Sequence, residues 1–511
     1  MSVESWSLKF EPTVPIAIVV TVFVVATCGL VYELVAGALA SYLLGDTVTQ
    51  FSLVIGAYLF SMGIGSWLSR HLVRGLVTRF VQVELLVGVV GGASAAVLFV
   101  LFSYVTAFRL VLYPIVVVVG VLVGIEIPLL LRILKDRAEF KDLVSQILAW
   151  DYVGALAASL LFPLVLVPRL GLVRSSLLFG ILNVVAGLWF LRMMGADVAR
   201  AGALRLQGTL ALLLLGTGFV FSDQLTQYAE SRLYADDVVF AKSTPYQRIV
   251  LTRWRDDLRL FLNAHLQFSS HDEYRYHEPL VHPGLAALPH AKRVLILGGG
   301  DGLAAREVLR YPNVEEVRLV DIDREMTDLF STHEALVRLN GGSLTSPRLH
   351  VTNADAFQWL DQTRDEFDFA IVDFPDPSNY AIGKLYTTAF YRLLGRHLAQ
   401  DGMAVIQATS PLMARKSFWC IAETGRAAGF QTVPYHCYVP SFGEWGYVML
   451  TRRPYAAPTK YPSGLRFLDA QVAAGMFVFP PDMQAVPAEP NRLDNQVLVR
   501  YYESEWSEVG Q

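Results

Sequence analysis

The chain has 511 residues, of which 53% are hydrophobic and 17% are charged, a composition too apolar for a soluble enzyme of this length. The formal net charge of −4 provides no basic excess, so no nucleic-acid partner is expected. The three cysteines have neither disulfide-like nor metal-ligand spacing, so we expect neither a disulfide framework nor a zinc site.

The apolar residues are concentrated in residues 1–222. Because a bilayer-spanning helix needs about 20 residues, we expect about seven spans there, in a multi-pass domain of the cell inner membrane whose partner is the lipid bilayer. The predicted spans lie near residues 15–37, 49–68, 80–104, 110–131, 146–167, 173–191 and 205–222.

The membrane topology is predicted from charge. Lysines and arginines collect in the connections after the second, fourth and sixth spans, which favours a cytoplasmic amino terminus. Seven full crossings would then leave the rest of the chain outside. We expect a cytoplasmic soluble part, with the last and shortest segment not fully crossing, because its predicted nucleotide ligand is a cytosolic metabolite. An outward-facing domain is the alternative.

Four acids lie within the predicted spans: Glu33, Glu84, Glu126 and Asp151. An ionisable group in hydrocarbon costs roughly 2.5–3.5 kcal/mol and usually faces a cavity or a partner. These acids either line a path for a cationic amine or stabilise the helix bundle, near its interface or by pairing with Arg109, Arg169 or Arg174.

The pattern changes after residue 222. Residues 223–290 read as a linker and a small antiparallel sheet, followed by a helix that carries Tyr276, His277 and Glu278. Residues 291–453 alternate strand and helix patterns, which predicts a doubly wound, Rossmann-like parallel sheet. Residues 454–511 read as a surface extension that covers the site or supports assembly. The strands are predicted at 293–297, 316–321, 348–352, 368–373 and 402–407.

The first of these strands ends in the turn GGGDG, where Gly298 and Gly300 allow close approach of a nucleotide. Asp301 lies inside this turn. Its carboxylate would repel a pyrophosphate or the carboxylate of S-adenosylmethionine, so it suits a ligand whose nearby end is cationic and lacks an acid group. The alternative is that Asp301 only caps the helix predicted to begin at Leu303.

Acids also follow the other strands: Asp321 and Asp323, then Asp355, then Asp373 and Asp376. Carboxylates that converge on one crevice are costly unless cations or hydrogen-bond donors occupy it. Ribose hydroxyls and an adenine amine suit two of them, Asp321 and Asp355. Asp301, Asp373 and Asp376 match a polycationic substrate better than Mg²⁺, because no phosphate-cradling loop with Lys and Ser/Thr is present.

This arrangement predicts amine alkylation. An ammonium must lose a proton before its nitrogen can attack a sulfonium-activated carbon. Asp373 is placed to act as the base, with Tyr276 sharing or relaying the proton, and Asp376 and Asp301 would hold other positive ends. The alternative for Tyr276 is that it only packs its helix against the sheet.

At these residues the soluble part resembles the spermidine synthase (polyamine aminopropyltransferase) family, and the multi-span fusion resembles a membrane-bound bacterial branch of it. The resemblance covers about residues 240–450. It implies a methyltransferase-type Rossmann-like fold, decarboxylated S-adenosylmethionine as co-substrate, an amine acceptor such as putrescine, methylthioadenosine as co-product, no metal, and a homo-oligomer. The matching stretches are TPYQRIVLTR, LFLNAHLQFSSHDEYRYHEPLVHP, VLILGGGDGLAAREVLRYPNVEEVRLVDID, NADAF and AIVDFPDP.

The resemblance also implies residue roles by position. Asp373 would be the general base. Contacts with the nucleoside would come from Gln247, Asp321, Asp355 and Ala356. The aminopropyl arm and the acceptor would be surrounded by Asp301, Tyr276, His277 and Asp376.

The chain departs from the family on the acceptor side. The motif DPSNYAIGKLYT replaces a shorter loop and brings the cation of Lys384 near a site for amines, while Pro375 and Phe442 replace a small polar residue and a tyrosine. Two alternatives therefore stay open. One is a methyltransferase that uses S-adenosylmethionine, which Asp301 disfavours, and the other is a polyamine transporter or sensor with a nucleotide-binding domain.

Overall fold

A computed structural model describes residues 16–44, 47–102, 104–105, 108–135, 139–194, 198, 200–234 and 236–509. Parts of the predicted segments, including residues 1–15, 103 and 510–511, lie outside this range. The chain forms two compact units, Met1–Asp236 and Asp237–Gln511.

In its described residues the first unit contains helices joined by short connections. Six helical stretches are long and apolar enough to cross a membrane. The helices are α1 Ile16–Leu44, α2 Thr47–Ser69, α3 Leu76–Phe102, α4 Arg109–Leu134, α5 Phe140–Leu161, α6 Val167–Met194, α7 Ala201–Val220 and α8 Ser222–Leu233.

The fifth of the six stretches, Phe140–Met194, has 55 residues and contains the fifth and sixth predicted spans. A straight helix of that length would measure about 80 Å, against about 30 Å for a bilayer core. Gly171 interrupts it with φ 73° and ψ 176°, which is not a helical conformation. Gly171 lies within α6, so the stretch consists of two helices that meet at this residue. The seven-span topology stays a prediction.

Three of the acids predicted within spans are buried in this unit: Glu33, Glu84 and Glu126. The Asn183 side-chain amide donates to Glu84 Oε2 at 2.5 Å. Arg174, one of the cations considered for pairing, instead contacts Asp223 Oδ2 at 2.6 Å. Hydrogen bonding to a neutral amide is thus part of how the bundle accommodates Glu84.

The second unit begins with a four-stranded antiparallel sheet in the order β1-β2-β3-β4. A seven-stranded mixed sheet follows in the order β10-β11-β9-β8-β5-β6-β7. These two sheets after the apolar helices confirm the predicted fold class. The strands are β1 Asp237–Ser243, β2 Arg248–Trp254, β3 Asp257–Leu262, β4 His265–Ser269, β5 Arg293–Gly298, β6 Glu316–Asp321, β7 Leu349–Asn353, β8 Phe367–Asp373, β9 Leu398–Gln407, β10 Gln431–Val439 and β11 Gly443–Thr451.

The large sheet differs from the prediction at one edge. Its five parallel strands are the predicted ones, but the antiparallel pair β10 and β11 extends it beyond β9. Helices cover both faces of the sheet. Alternate residues of β5 therefore face two different cores: Val294 and Ile296 face one, and Leu295 and Leu297 face the other. The helices are α9 Tyr274–Leu285, α10 Leu303–Val308, α11 Arg324–Thr332, α12 Glu334–Leu339, α13 Ala356–Gln362, α14 Tyr380–Gly383, α15 Thr388–Arg396, α16 Arg415–Ala427, α17 Ala470–Met476 and α18 Val497–Val509.

The interpretation of residues 454–511 as a surface extension is wrong for much of this segment. Leu468 and Met476 join one core, whereas Val497 and Leu498 join the other. The carboxylate of Glu278 on α9 accepts hydrogen bonds from the backbone N–H groups of residues 466–468 at 2.7–2.9 Å. The segment is therefore an integral part of the fold.

Candidate active site

The glycine-rich turn and the acid after β8 lie side by side. β5 and β8 are parallel neighbours in which Gly298 is in register with Asp373. Gly298 has φ 81°, and a Cβ there would lie 2.2 Å from the Asp373 carbonyl oxygen. Only glycine fits this close approach. The carboxyl ends of the two strands consequently share one edge of the sheet.

Asp321, at the end of β6, is fixed by the same turn. Its Oδ2 accepts from the Gly300 N–H at 3.0 Å, and its Oδ1 accepts from the Asp323 N–H at 2.8 Å. A Cβ on Gly300 would lie 2.6 Å from Asp321 Oδ2, so this glycine permits the contact. Burial raises the pKa of Asp321 to about 6, an effect that the two backbone donors oppose.

Asp301 is 8% exposed, and its Oδ1 accepts from the Leu303 N–H at 2.8 Å. Asp301 therefore does bind the first backbone N–H of α10, as the alternative prediction of a capping role expects. Burial raises the pKa of Asp301, while the nearby His277 opposes the shift. The second carboxylate oxygen leaves Asp301 able to contact a ligand as well.

His277 is held by an ion-pair network beneath the turn. Its Nδ1 lies 3.0 Å from Glu273 Oε2, and Arg306 contacts the same carboxylate at 2.8 Å. Burial disfavours a charged ring, yet the hydrogen bond and charge of Glu273 raise the pKa of His277 above its usual value. The raised pKa favours the protonated ring, and the charge of that ring would stabilise the ionised carboxylates of Asp301 and Asp373.

The Tyr276 hydroxyl donates to Asp373 Oδ1 at 2.6 Å. Burial raises the pKa of Asp373 to about 6, opposed by His277 and by the Tyr276 hydrogen bond. The Tyr276 ring also meets Phe442 edge-on, with centroids 6.0 Å apart. Tyr276 therefore has both of the contacts that the sequence left open. It packs its helix against the sheet, and it contacts the predicted base.

Asp376 has hydrogen-bond donors that the sequence did not reveal. Gln407 Nε2 lies 3.3 Å from Oδ1, and Thr409 Oγ1 lies 3.1 Å from Oδ2. Burial raises the pKa of Asp376 to about 6, and these hydrogen bonds oppose it. Gln407 ends a predicted strand, a signal that could have identified it.

Asp355 begins α13, where its Oδ1 accepts from the N–H groups of Phe357 and Gln358, and Ala356 is the first helical residue. Its Oδ2 accepts from Lys384 Nζ at 2.8 Å. Burial works to raise the pKa of Asp355, but Lys384 and the backbone donors hold it below its usual value. Lys384 was expected near the amine-side acids; the structure pairs it with the predicted nucleoside acid.

Gln247 lies in the turn between β1 and β2, and its Nε2 donates to Asp323 Oδ2 at 2.9 Å. Thr244 Oγ1 donates to the same oxygen at 2.8 Å. Asp323 also accepts from the Glu325 N–H at the start of α11. The small sheet therefore contacts the end of β6, beside Asp321, through Asp323. The sequence assigned no role to Asp323.

Together these acids form a buried, oxygen-rich edge. In the described part of the chain, the ion pairs include Lys384 with Asp355 but none for Asp301, Asp321, Asp373 or Asp376. No group of three His, Cys, Asp or Glu side chains suited to a metal ion occurs among the described residues. Buried carboxylates that are hydrogen-bonded but lack an ion-pair partner fit a cation that donates hydrogen bonds.

Comparisons with known proteins agree with this chemistry. The family described as "Spermine/spermidine synthase domain" matches residues 273–460. Polyamine aminopropyltransferase 2 of Ralstonia nicotianae is 57% identical over 501 residues, covering 96% of this chain and 98% of that protein. The polyamine aminopropyltransferase of Leptospira interrogans is 52% identical over 493 residues, covering 96% and 99%.

A crystal structure of spermidine synthase in complex with the transition state analogue AdoDATO is also similar, with 24% identity and a TM-score of 0.44 over 48% of this chain and 85% of that one. The sequence relatives are the stronger comparison, because they exceed half identity along nearly the whole of both chains. This chain therefore belongs to the polyamine aminopropyltransferase family.

Proposed function

We propose that this aminopropyltransferase moves the aminopropyl group of decarboxylated S-adenosylmethionine to putrescine, forming spermidine and methylthioadenosine. The observation that carries the proposal is the Tyr276–Asp373 pair, joined at 2.6 Å at the carboxyl end of β8. Burial raises the pKa of Asp373 to about 6, so the carboxylate is ionised near neutral pH and basic enough to accept a proton.

In this mechanism the acceptor ammonium loses a proton to Asp373, directly or through Tyr276. The freed nitrogen lone pair attacks the propyl carbon bonded to the sulfonium. The new C–N bond forms as the C–S bond breaks, and the electron pair of that bond stays on sulfur, giving neutral methylthioadenosine. Alignment of the two reactants contributes alongside proton removal, because in-line attack needs the nitrogen about 3–3.5 Å from the carbon.

The co-substrate would lie across the ends of β5, β6 and β7. Gly298 and Gly300 bring the backbone close to the nucleoside, Asp321 takes the ribose hydroxyls, and Asp355 with the Ala356 N–H takes the adenine. Gln247 would act from the small sheet, where it contacts Asp323 beside the ribose acid. Asp321 is suited to hydroxyl donors because burial leaves its carboxylate poorly solvated.

The aminopropyl arm and the acceptor would occupy the other half of the edge. Asp301 and His277 lie near the arm, and Asp376 meets the second positive end of the acceptor. Asp301 disfavours a donor that keeps its methionine carboxylate, because two buried carboxylates would repel each other. This favours aminopropyl transfer over methyl transfer from intact S-adenosylmethionine.

We also propose that the enzyme is an integral membrane protein with a cytoplasmic catalytic unit. Six stretches of the first unit have the length and apolarity of membrane spans, and their exposed faces carry large apolar side chains such as Leu59, Phe60, Leu110 and Leu164. Resistance of the full-length protein to carbonate extraction, with release only by detergent, is the expected result. Extraction by carbonate alone would contradict it.

The function is tested with the full-length protein purified in detergent. It is incubated with decarboxylated S-adenosylmethionine and a panel of amines, and methylthioadenosine and the aminopropylated amine are measured by mass spectrometry. Putrescine-dependent release of equal amounts of both products is expected. Release with another amine only would change the acceptor, methyl transfer from intact S-adenosylmethionine would overturn the donor assignment, and co-substrate binding without turnover would favour a sensor or transporter.

A further inference from the structure

The Nδ1 atom of His277 contacts two acceptors of one residue. It lies 2.8 Å from the Glu273 carbonyl oxygen and 3.0 Å from Glu273 Oε2, and both side chains are buried. A carbonyl oxygen and an ionised carboxylate can only accept hydrogen bonds, so Nδ1 must carry a hydrogen. The neutral ring therefore has its lone pair on Nε2, and a second proton binds there. These contacts make Nε2 the nitrogen of His277 that titrates.

Arg306 keeps Glu273 ionised and in place. Its Nη1 donates to Glu273 Oε1 at 3.0 Å, and its Nη2 donates to Oε2 at 2.8 Å. The same Nη1 donates to the Leu339 carbonyl oxygen at 2.8 Å, which fixes the guanidinium. Burial works to raise the pKa of Glu273, but His277 and Arg306 hold it below its usual value. A buried anion is thus fixed against one side of the imidazole ring.

The other charged groups near His277 are acids of the site. Burial raises the pKa of Asp301, in the glycine-rich turn, and of Asp373, at the end of β8, and the charge of His277 opposes this shift at both. Cys437 and Tyr447, from the β10–β11 hairpin, donate to backbone carbonyl oxygens of α9. Burial raises the pKa of both, so they stay neutral. The ring of His277 is therefore placed to supply the counter-charge of the two acids.

A second histidine of α9 has a similar partner but no free nitrogen. His282 is fully buried, its Nε2 lies 3.1 Å from Glu307 Oε2, and its Nδ1 lies 3.0 Å from the Tyr311 hydroxyl. Among the described residues, the hydrogen bonds of the His277 ring are made by Nδ1 alone. The His282–Glu307 pair is consequently a structural counterpart of the His277–Glu273 pair, with both ring nitrogens engaged.

We propose that Glu273 is a positioning residue that fixes one proton on His277 Nδ1, so that a second proton on Nε2 is the counter-charge of Asp301 and Asp373 until a cationic substrate replaces it. The proposal rests on the proposed function. When the ammonium of the co-substrate reaches these acids, the Nε2–H bond breaks and its proton passes to the solvent. The ring becomes neutral and keeps its Nδ1 hydrogen. Binding of a cationic substrate is thereby coupled to proton release.

Calorimetry on the full-length protein in detergent tests the proton release. Decarboxylated S-adenosylmethionine is titrated at pH 7 in phosphate and in Tris, because the different ionisation enthalpies of these buffers report the protons released. The wild type should release up to about one proton per site. Glu273→Gln still accepts from Nδ1 but carries no charge, so it should release less than about half as much.

Glu307→Gln is the matched control. It removes the same charge beside the other histidine of α9 and leaves the Glu273–His277 pair intact, so its proton release should equal that of the wild type. Arg306 Nε also contacts Glu307, at 2.8 Å, and the control therefore measures any effect transmitted through the guanidinium. Equal release in Glu273→Gln and the wild type, or an equal decrease in Glu307→Gln, would overturn the proposal.

The pH profile separates this role from a structural one. In Glu273→Gln the neutral His277 no longer opposes the effect of burial on Asp373, so the acid limb of kcat/KM should move up by about one pH unit. Turnover should then recover above pH 8, whereas damage to the fold would lower it at every pH. In a His277→Gln background, Glu273→Gln should cause no further shift.

The remaining outcomes are also decisive. A shift that persists in the His277→Gln background would show that Glu273 acts by another route, and the proposal would fail. Co-substrate binding without methylthioadenosine release by the wild type would refute the proposed function, while the proton count would still decide the role of Glu273. No binding of the co-substrate at all would refute both.

Discussion

The two halves of the site are built differently. In the nucleoside edge, formed by residues 298–303, Asp321 and Asp355, most hydrogen bonds to the acids come from nearby backbone N–H groups. The amine edge is formed by Asp373, Asp376 and the loop of residues 377–387. Here the hydrogen-bond partners of the acids are distant in sequence: Tyr276 is 97 positions from Asp373. One half is thus specified by local turns, whereas the other exists only once the whole unit has folded.

The largest expected effect comes from removing the base in the amine edge. Asp373→Asn keeps the shape but cannot accept the proton, and kcat should fall about 10³-fold, within the range for general base catalysis. Co-substrate binding measured by calorimetry should persist, because the nucleoside edge is untouched. Asp361→Asn, at an exposed position, is the control. Full turnover in Asp373→Asn would exclude this residue as the base.

Removing the partner of the base has a smaller effect. Tyr276→Phe loses the 2.6 Å hydrogen bond to Asp373, and kcat should fall about 10- to 100-fold, since a hydrogen bond to a charged group contributes about 1.5–3 kcal/mol. The same hydrogen bond lowers the pKa of Asp373, so its loss should move the pH profile to higher pH. An unchanged profile would mean that Tyr276 only packs its helix.

The pH dependence separates the amine edge from the rest of the fold. Burial raises the pKa of Asp373 and of Asp376 to about 6, so kcat/KM for the amine should fall below pH 6 by about tenfold per pH unit for each carboxylate that must be ionised, or about a hundredfold for both. The unfolded carboxyl pKa is about 4, so the folded state retains these protons longer and their contribution to the unfolding free energy falls as pH rises from 4 to 6. Activity and this stability contribution, measured by rate assays and denaturant titration, should move in opposite directions.

The smallest effect is expected in the nucleoside edge. Lys384→Met removes the ammonium that occupies Asp355 Oδ2, an oxygen proposed to accept from the adenine amine, so the co-substrate KM should fall about 2- to 5-fold while the amine KM stays constant. The effect is modest because Lys384 is 35% exposed and solvent screens its charge. A rise in the co-substrate KM would show that Lys384 instead holds Asp355 in place.

Much of the nucleoside edge was predictable from sequence because its signals are local. A glycine-rich turn after an apolar strand, and an acid at each following strand end, identify Asp301, Asp321 and Asp355 without knowledge of distant contacts. The parallel strands followed from the same patterns. The hairpin of β10 and β11 was not predicted, because its antiparallel strands are joined without a crossover helix and so lack the alternating strand and helix pattern.

The amine edge was predictable only in its acids. Gln407 and Thr409 reach Asp376 through the folded chain, and the only sequence signal for them is the place of Gln407 at the end of a predicted strand. The segment containing Asn491 is rich in proline and charge, which reads as surface. Its burial becomes understandable only when the carbonyl oxygens that its amide satisfies are known. The contact of Lys384 with Asp355, 29 positions earlier, likewise has no signal in the sequence.

The position of α18 at the far end of the polypeptide has a consequence for biosynthesis. A chain emerges from the ribosome amino terminus first, so the apolar helices, the glycine-rich turn and Asp373 are all made before residues 487–509. The loop after Asp376 must wait for Asn491, whose amide donates to the Gly383 and Tyr386 carbonyl oxygens, before it takes its final arrangement. A partly synthesised chain therefore has an unfinished amine edge.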